Sequence, residues 1–286
     1  MPKAIFVGLA TVDIVYAVDE FPRANQKVAA HRQDLYAGGP ATNAAITFSH
    51  LGGEATLVTA AGCNLLAEAI RAETSQYGVR LIDLNPESGQ PPALSSICVN
   101  SAGERSVVSA NAAQIAALPA QVDEAVLSGA AILMVDGHHM QACQAWSAAG
   151  RAQGIKTVLD GGSWKDGTDK LLETIDTAIC SADFRPPGCS ASDDIVAYLQ
   201  GHGVQEIAIT HGAEPIRFCS AIDSGVVPVP GVGAVDTMGA GDILHGAYCY
   251  YAAQGCAMPE ALERAARIAS ESCRFHGTRQ WMQLPL

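Results

Sequence analysis

Residues 236–242 read Asp236-Thr237-Met238-Gly239-Ala240-Gly241-Asp242, and this heptapeptide decides the reading of the fold. It follows an apolar, strand-like stretch, Val226-Val227-Pro228-Val229-Pro230-Gly231-Val232, and opens a run over 242–253 that reads as a helix. Two glycines flanking an alanine at a helix start leave backbone N–H groups bare and pointing outward. Such an N-terminus holds anions through its unpaired donors and the helix dipole. Asp242 stands at the same spot, where the dipole keeps a carboxylate ionised. An anion pocket beside an ionised base suits phosphoryl transfer to an alcohol. The pocket takes the charge developing on the phosphoryl oxygens while the carboxylate takes the hydroxyl proton. A lone Gly-Ala-Gly reads more simply as a capped strand-to-helix turn; the full string is much more specific.

A second motif, Gly38-Gly39-Pro40-Ala41-Thr42-Asn43-Ala44-Ala45, precedes a helical pattern that ends at Gly52-Gly53. Together the two motifs resemble the signature pair of the ribokinase-like carbohydrate kinases, the PfkB family. The first is similar to that family's substrate-side Gly-Gly followed by Asn, the second to its D-T-x-G-A-G-D catalytic loop. Length and motif order agree, so the resemblance covers nearly the whole chain. It implies an α/β fold: a ribokinase-like three-layer sandwich with a mostly parallel central sheet and a small β-sheet lid.

Composition sets bounds. The 286 residues make one large domain, or one domain with a small appendage. Hydrophobic content of 49% against 16% charged residues describes a globular chain with a large core. A net charge of −12 speaks against nucleic-acid or membrane-surface partners. It leaves a nucleotide open, because that pocket is local and Mg²⁺ offsets phosphate charge. Nine cysteines at irregular spacing, with no C-x-x-C pair, read as idle thiols in a reducing cytoplasm. No run of 18 apolar residues suggests a membrane span. The first apolar stretch, interrupted by Asp13, reads as a strand and not as a leader.

Apolar runs of strand length at 4–9, 55–61, 130–135, 156–159, 177–180 and 206–210 alternate with helical patterns such as 65–77, 140–153 and 192–201. That alternation predicts a parallel sheet covered on both faces. Two segments break it. Residues 14–37 read as two strands joined through Phe21-Pro22, and 92–110 as a hairpin around Ala102-Gly103-Glu104. The resemblance makes these the lid over a sugar, and assigns 1–13, 38–91 and 111–286 to the core.

Ligands of open α/β sheets gather beyond the C-terminal strand ends. Asp13, Asp136, Asp160 and Thr210 all follow or end predicted strands. Asp242 is the expected base, with Gly239, Ala240 and Gly241 as the anion hole; glycine lets a phosphate approach without a Cβ clash. No G-x-x-x-x-G-K-[ST] string occurs, which excludes a P-loop. The resemblance implies that Asp13 clamps sugar hydroxyls, that Gly38 and Gly39 pack close to the sugar, and that Asn43 and Asp136 complete the substrate side. It implies Thr210 and Gly212 near the phosphates, with Ser181 and Gly277 also on the nucleotide side. Cys180-Ser181-Ala182-Asp183-Phe184 departs from the family's N-x-x-E string, which organises Mg²⁺; Asp183 or the phosphates themselves would take over. Asp236 and the Met238 carbonyl match positions that border a monovalent-cation site in some relatives, with K⁺ as the ion and Ser272 and Gly277 to complete it. His138-His139 lacks a visible third metal ligand and reads as a loop.

The expected reaction is ATP-dependent phosphorylation of a small sugar, with no nucleic-acid or membrane partner and a homodimer through the lid. Ile14, Val15, Val18, Leu94, Ile97, Val99 and Val107 would supply the dimer face. A nucleoside or vitamin kinase of the same fold and a non-catalytic sugar-binding relative stay open, with Tyr16 or Tyr36 as aromatics that a base would need. A dinucleotide-dependent oxidoreductase needs G-x-G-x-x-G, whereas the chain reads Gly8-Leu9-Ala10-Thr11-Val12-Asp13.

Overall fold

The first strand, β1 (Lys3–Val7), shows how the core is divided. Ala4 and Phe6 join one buried cluster while Ile5 and Val7 join another. Successive side chains of a strand point to opposite faces, so an unbroken apolar run is a strand buried on both sides. The computed structural model describes residues 1–110 and 121–283. Residues 111–120, where the expected core segment 111–286 begins, and 284–286, where it ends, lie outside the described residues.

In chain order the remaining elements are β2 (Thr11–Ala17), β3 (Arg32–Gly38), α1 (Pro40–His50), β4 (Glu54–Thr59), α2 (Ala67–Gln76), β5 (Arg80–Asp83), β6 (Ala93–Val99) and β7 (Arg105–Ala110). Then come α3 (Glu124–Leu127), β8 (Ile132–Val135), α4 (Met140–Ala152), β9 (Lys156–Gly161), α5 (Thr168–Leu172), β10 (Thr177–Ser181) and α6 (Ser192–Gly201). The chain continues with β11 (Glu206–His211), β12 (Glu214–Cys219), β13 (Ser224–Val227), α7 (Ala240–Ala253), α8 (Met258–Ser272) and a 3-10 turn at Gln280–Gln283.

The central sheet runs β13-β12-β11-β10-β9-β8-β1-β4-β5. From β11 to β5 all neighbours are parallel, and β12 and β13 add an antiparallel hairpin at one edge. One face packs on α1, α7 and α8 through Phe6, Phe48, Tyr248 and Leu262. The other packs on α4 to α6 through Leu133, Trp146, Leu199 and Ile209. α8 buries Met258, Ala261, Leu262, Ala265, Ala266 and Ala269, the i, i+3, i+4 stripe of a helix lying on a core. The expected three-layer α/β sandwich is therefore the observed fold.

A second sheet, β3-β2-β6-β7, stands apart from the first. Its β2–β3 and β6–β7 pairs are antiparallel and β2–β6 is parallel. The β6–β7 turn closes on Asn100, with Gly103 at φ 77° supplying the left-handed residue.

Several strand ends differ from the sequence reading, for physical reasons. The first strand stops at Val7, not at residue 9, because the buried Asp136 carboxylate collects the Leu9 N–H at 2.9 Å and bends the chain out of the sheet. β2 consequently starts at Thr11, and Asp13 lies within the second sheet. The expected strand at 55–61 ends at Thr59, since Asp83 collects the N–H groups of Ala61 and Gly62. The apolar stretch 226–232 is strand only to Val227, because Pro228 and Pro230 have no N–H to give a ladder.

Candidate active site

The two glycine motifs meet, although 199 residues separate their key side chains. The Asn43 carboxamide donates from Nδ2 to Asp242 Oδ2 at 2.7 Å. Asn43 is buried on the first turn of α1, whose start is fixed by backbone geometry. Gly39 caps it at φ 96°, a conformation where a Cβ would also strike the Leu9 carbonyl, and Pro40 follows at the first helical position. The Thr42 hydroxyl donates to the same Leu9 carbonyl at 3.0 Å and holds α1 to the β1–β2 bend.

Asp242 sits in the first turn of α7. Gly239 caps that helix at φ 69° and packs on Thr278, so a Cβ there would come within 2.7 Å of its methyl group. Among the described residues, the Gly241 and Asp242 N–H groups have no protein acceptor, while Ala240 N makes only a 3.3 Å turn bond to the Thr237 carbonyl. They are the orphan donors that a helix start offers an anion. Asp242 itself is partly exposed, yet its carboxyl is pushed up to about 7. Crowding by protein atoms is the main cause and Asp160 adds to it, while the Asn43 hydrogen bond and His245 pull the other way. Asp242 is therefore not the ordinary carboxylate that the sequence suggests: near neutrality it is poised between its two forms, as suits a general base.

One flank of this helix start faces a cavity of about 360 Å³. Ala240, Gly241 and His245 line it from α7, Thr210 and Gly212 from the end of β11, and Ala266 and Ala269 from α8. Small residues and valines make most of its wall. Thr210 and Gly212, expected near the phosphates, line this cavity beside the helix start. His245, which the sequence reading overlooks, is buried one turn below Gly241. Its ring nitrogens face the carbonyls of Gly241 at 2.7 Å and Ile179 at 3.1 Å, and Asp160 lies 3.5 Å away. Burial raises the Asp160 carboxyl above its usual range.

On the other flank, Asp13 rises from β2 onto the face shared with Tyr36 and Gly38. The Thr11 hydroxyl donates to it at 2.7 Å. Burial raises its carboxyl, offset by hydrogen bonds from Thr11 and Ser95 and by the Arg279 charge. Gly38 lies directly beneath: a Cβ there would fall 1.8 Å from Asp13 Oδ2. Tyr36 shares this face, but the position of a Cβ on Gly277 lies 2.5 Å from its hydroxyl. Tyr16 lies on the opposite face of β2, so it does not line this side.

Several expected residues have partners that the sequence does not announce. Asp136 does not face open space: its buried carboxylate accepts the N–H groups of Leu9, Ala41 and His138. It braces β1 against α1 and does not suit a sugar contact. Gly277 packs beside Tyr36 and gives its N–H to Asp236 at 2.9 Å, away from the cavity that Thr210 and Gly212 line. Asp236 also takes the Met238 N–H at 2.9 Å, so both carboxylate oxygens already hold a loop together. Met238 turns its side chain into a cluster with Val15, Ile97 and Val99. Ser181 accepts the Asp183 N–H within its own turn and is absent from the cavity wall. Phe184, at the position expected to depart from N-x-x-E, is core, edge-on to Trp164.

Two further residues close the site and leave no motif in the sequence. Arg279, buried, donates from Nη1 to Asn43 Oδ1 at 2.9 Å, from Nη2 to the Ala37 carbonyl at 2.7 Å and from Nε to Glu73 at 2.8 Å. Glu73 in turn accepts the Ala37 N–H.

Comparison with known proteins gives the family and the fold. The pfkB family carbohydrate kinase profile matches residues 1–284. Ribokinase of Mus musculus is 24% identical over 290 residues, covering 96% of this chain and 90% of that protein. Deoxyribokinase of Salmonella typhi is 22% identical over 290 residues, covering 95% and 92%. Among solved structures, Arabidopsis thaliana ribokinase complexed with ribose and ATP superposes with a TM-score of 0.80 at 19% identity, covering 99% of each chain.

Proposed function

The chain belongs to the pfkB family of carbohydrate kinases, and on that footing we propose that it transfers the γ-phosphoryl group of ATP to a hydroxyl of a small sugar. The observation that carries this reading is the 2.7 Å bond from Asn43 to Asp242. It joins the substrate-side motif to a helix start whose other flank lines the 360 Å³ cavity. Sugar and nucleotide would meet across one turn of α7.

In this reading the nucleotide occupies the cavity, with its phosphates at the Gly241 and Asp242 N–H groups. Asp13 accepts sugar hydroxyls, and Gly38 gives it room. The reacting hydroxyl oxygen bonds to the γ-phosphorus as the bond to the bridging oxygen breaks. The hydroxyl proton passes to Asp242, and ADP leaves with the electron pair. The transition state is loose, so positioning and charge stabilisation matter more than base strength. The helix start takes the charge on the phosphoryl oxygens.

The donor set suits a metal that arrives with the nucleotide. Among the described residues no three His, Cys, Asp or Glu side chains gather to hold an ion themselves, and Mg²⁺ commonly rests on phosphates and water. When bound, it neutralises phosphate charge. A K⁺ site is the part of the expectation that the geometry supports least, because both Asp236 oxygens already accept backbone N–H groups.

ATP consumption and nine free cysteines suit the cytoplasm; no described helix is long and apolar enough to cross a membrane. The lid also suits a homodimer. Of the expected residues Val15, Val18, Ile97 and Val99 are buried while Val107 is exposed, and Leu35 and Val108 lie exposed on the face that carries Ile14.

Thermal shift with ribose, deoxyribose and nucleosides, each with a non-hydrolysable ATP analogue and Mg²⁺, tests the reading. Ligands that bind the native state raise its melting point. A sugar should do so and should then drive ADP release from ATP. Nucleosides shifting the protein while sugars do not would move the assignment to the nucleoside kinases.

A further inference from the structure

Arg279 holds three parts of the chain that are remote in sequence, and chemistry restricts what it can do there. A guanidinium carries only donors. The Asn43 atom that faces it at 2.9 Å must therefore be the carbonyl oxygen Oδ1. That choice turns the Asn43 amino group toward Asp242 Oδ2. An amide free to rotate could present either atom to Asp242; one anchored by Arg279 can present only a donor. A donor favours the ionised carboxylate over the protonated acid.

The same guanidinium grips the lid. β3 is an edge strand, and the N–H and C=O of Ala37 that face away from β2 would otherwise lack partners. Glu73 accepts that N–H and Arg279 donates to that carbonyl at 2.7 Å. The Arg279–Glu73 pair, 2.8 Å apart and largely buried, so clamps the residue immediately before Gly38-Gly39.

We propose that Arg279 is a positioning residue for the reaction: through Asn43 it fixes the orientation and the proton-accepting form of Asp242, and through Ala37 it ties that orientation to the lid strand. The proposal rests on Asp242 being the base.

The test is the pH dependence of kcat/KM for whichever of ribose and deoxyribose turns over faster. It compares wild type, Asn43→Ala, Arg279→Met and the double variant. Methionine keeps the bulk and removes every donor. Losing the Asn43 donor raises the proton affinity of Asp242, so the acidic limb should move to higher pH by about one unit. Arg279→Met should move it by a similar amount, and the double variant no further than Asn43→Ala alone. An Arg279→Met limb that coincides with wild type would overturn the proposal, as would additive shifts in the double variant. Should Arg279→Met not fold, Arg279→Lys takes its place. Its ammonium still offers only donors to Asn43 Oδ1, so its limb must stay with wild type; a limb displaced as in Asn43→Ala overturns the idea. Asp242→Asn run alongside separates the two layers. Retained turnover there defeats the base assignment itself. An inert Asp242→Asn with an unmoved Arg279→Met limb defeats only the role of Arg279.

Discussion

Asn43 and Asp242 share a hydrogen bond of 2.7 Å, and that bond brings the start of α1 to the start of α7. Each helix start is fixed by a glycine in the left-handed region, Gly39 and Gly239. The carboxylate that would accept the proton is therefore placed by backbone geometry from two ends of the chain, with little freedom left to its side chain.

Gly38→Ala should imitate loss of Asp13. The new Cβ would lie 1.8 Å from Asp13 Oδ2 and 2.7 Å from Thr11 Oγ1, so the carboxylate must move. We expect KM for the sugar to rise at least about tenfold, the equivalent of one charged hydrogen bond, with KM for ATP little changed. Steady-state kinetics varying each substrate in turn decides this. An equal rise for both would show that Gly38 serves the fold as a whole.

Asp136→Ala should fail as a structural change. Removing this buried carboxylate leaves the Leu9, Ala41 and His138 N–H groups without their acceptor. A cost of roughly 3 kcal/mol or more follows, seen as a clear fall in Tm. A variant with wild-type Tm and a raised sugar KM would return Asp136 to the substrate side.

How much of this was legible in the sequence depends on the range of the forces involved. β1 and β8 announce themselves by continuous apolar runs, because both faces of each are buried. The α7 start is legible because Gly-Ala-Gly-Asp states its own backbone requirement. β12 gives no signal, being short and largely exposed, and β13 is legible only through Val226 and Val227, the start of the apolar stretch. The position of Asp13 was misread by one element, since the bend at 8–10 is imposed by a carboxylate 127 residues away. Arg279 was invisible for the same reason. Its partners Glu73 and Asn43 lie 206 and 236 residues distant, and a single arginine near a chain end has no pattern. Asp160 and His245 could have been paired only by knowing that β9 and α7 pack together.

The dimer reading gains a sharper probe. Val108→Asp charges an exposed outer-face position and should halve the mass measured by light scattering at micromolar concentration, without lowering Tm of the separated chain by more than about 0.5 kcal/mol equivalent. A wild-type mass near 29.6 kDa would reject the dimer outright.

Asp242 also makes a prediction for stability. Its folded-state pKa, about 7, lies above the ordinary 3.8. A carboxyl raised on folding contributes stability below its unfolded value and loses that contribution as pH rises through the folded value. Asp242→Asn, which cannot ionise, should therefore equal wild type near pH 4 and exceed it at pH 8, by on the order of 1–3 kcal/mol. Calorimetry at both values settles the sign; a variant less stable than wild type at pH 8 would mean that the ionised carboxylate is a net stabiliser.

The most direct measurement is turnover of Asp242→Asn at pH 8, together with binding of the ATP analogue by calorimetry. Asparagine keeps the shape of the site but cannot accept the hydroxyl proton. The account predicts that analogue affinity survives within about threefold while kcat falls at least about 100-fold, the lower range of general-base effects. Near-wild-type turnover in a folded, analogue-binding Asp242→Asn would contradict it.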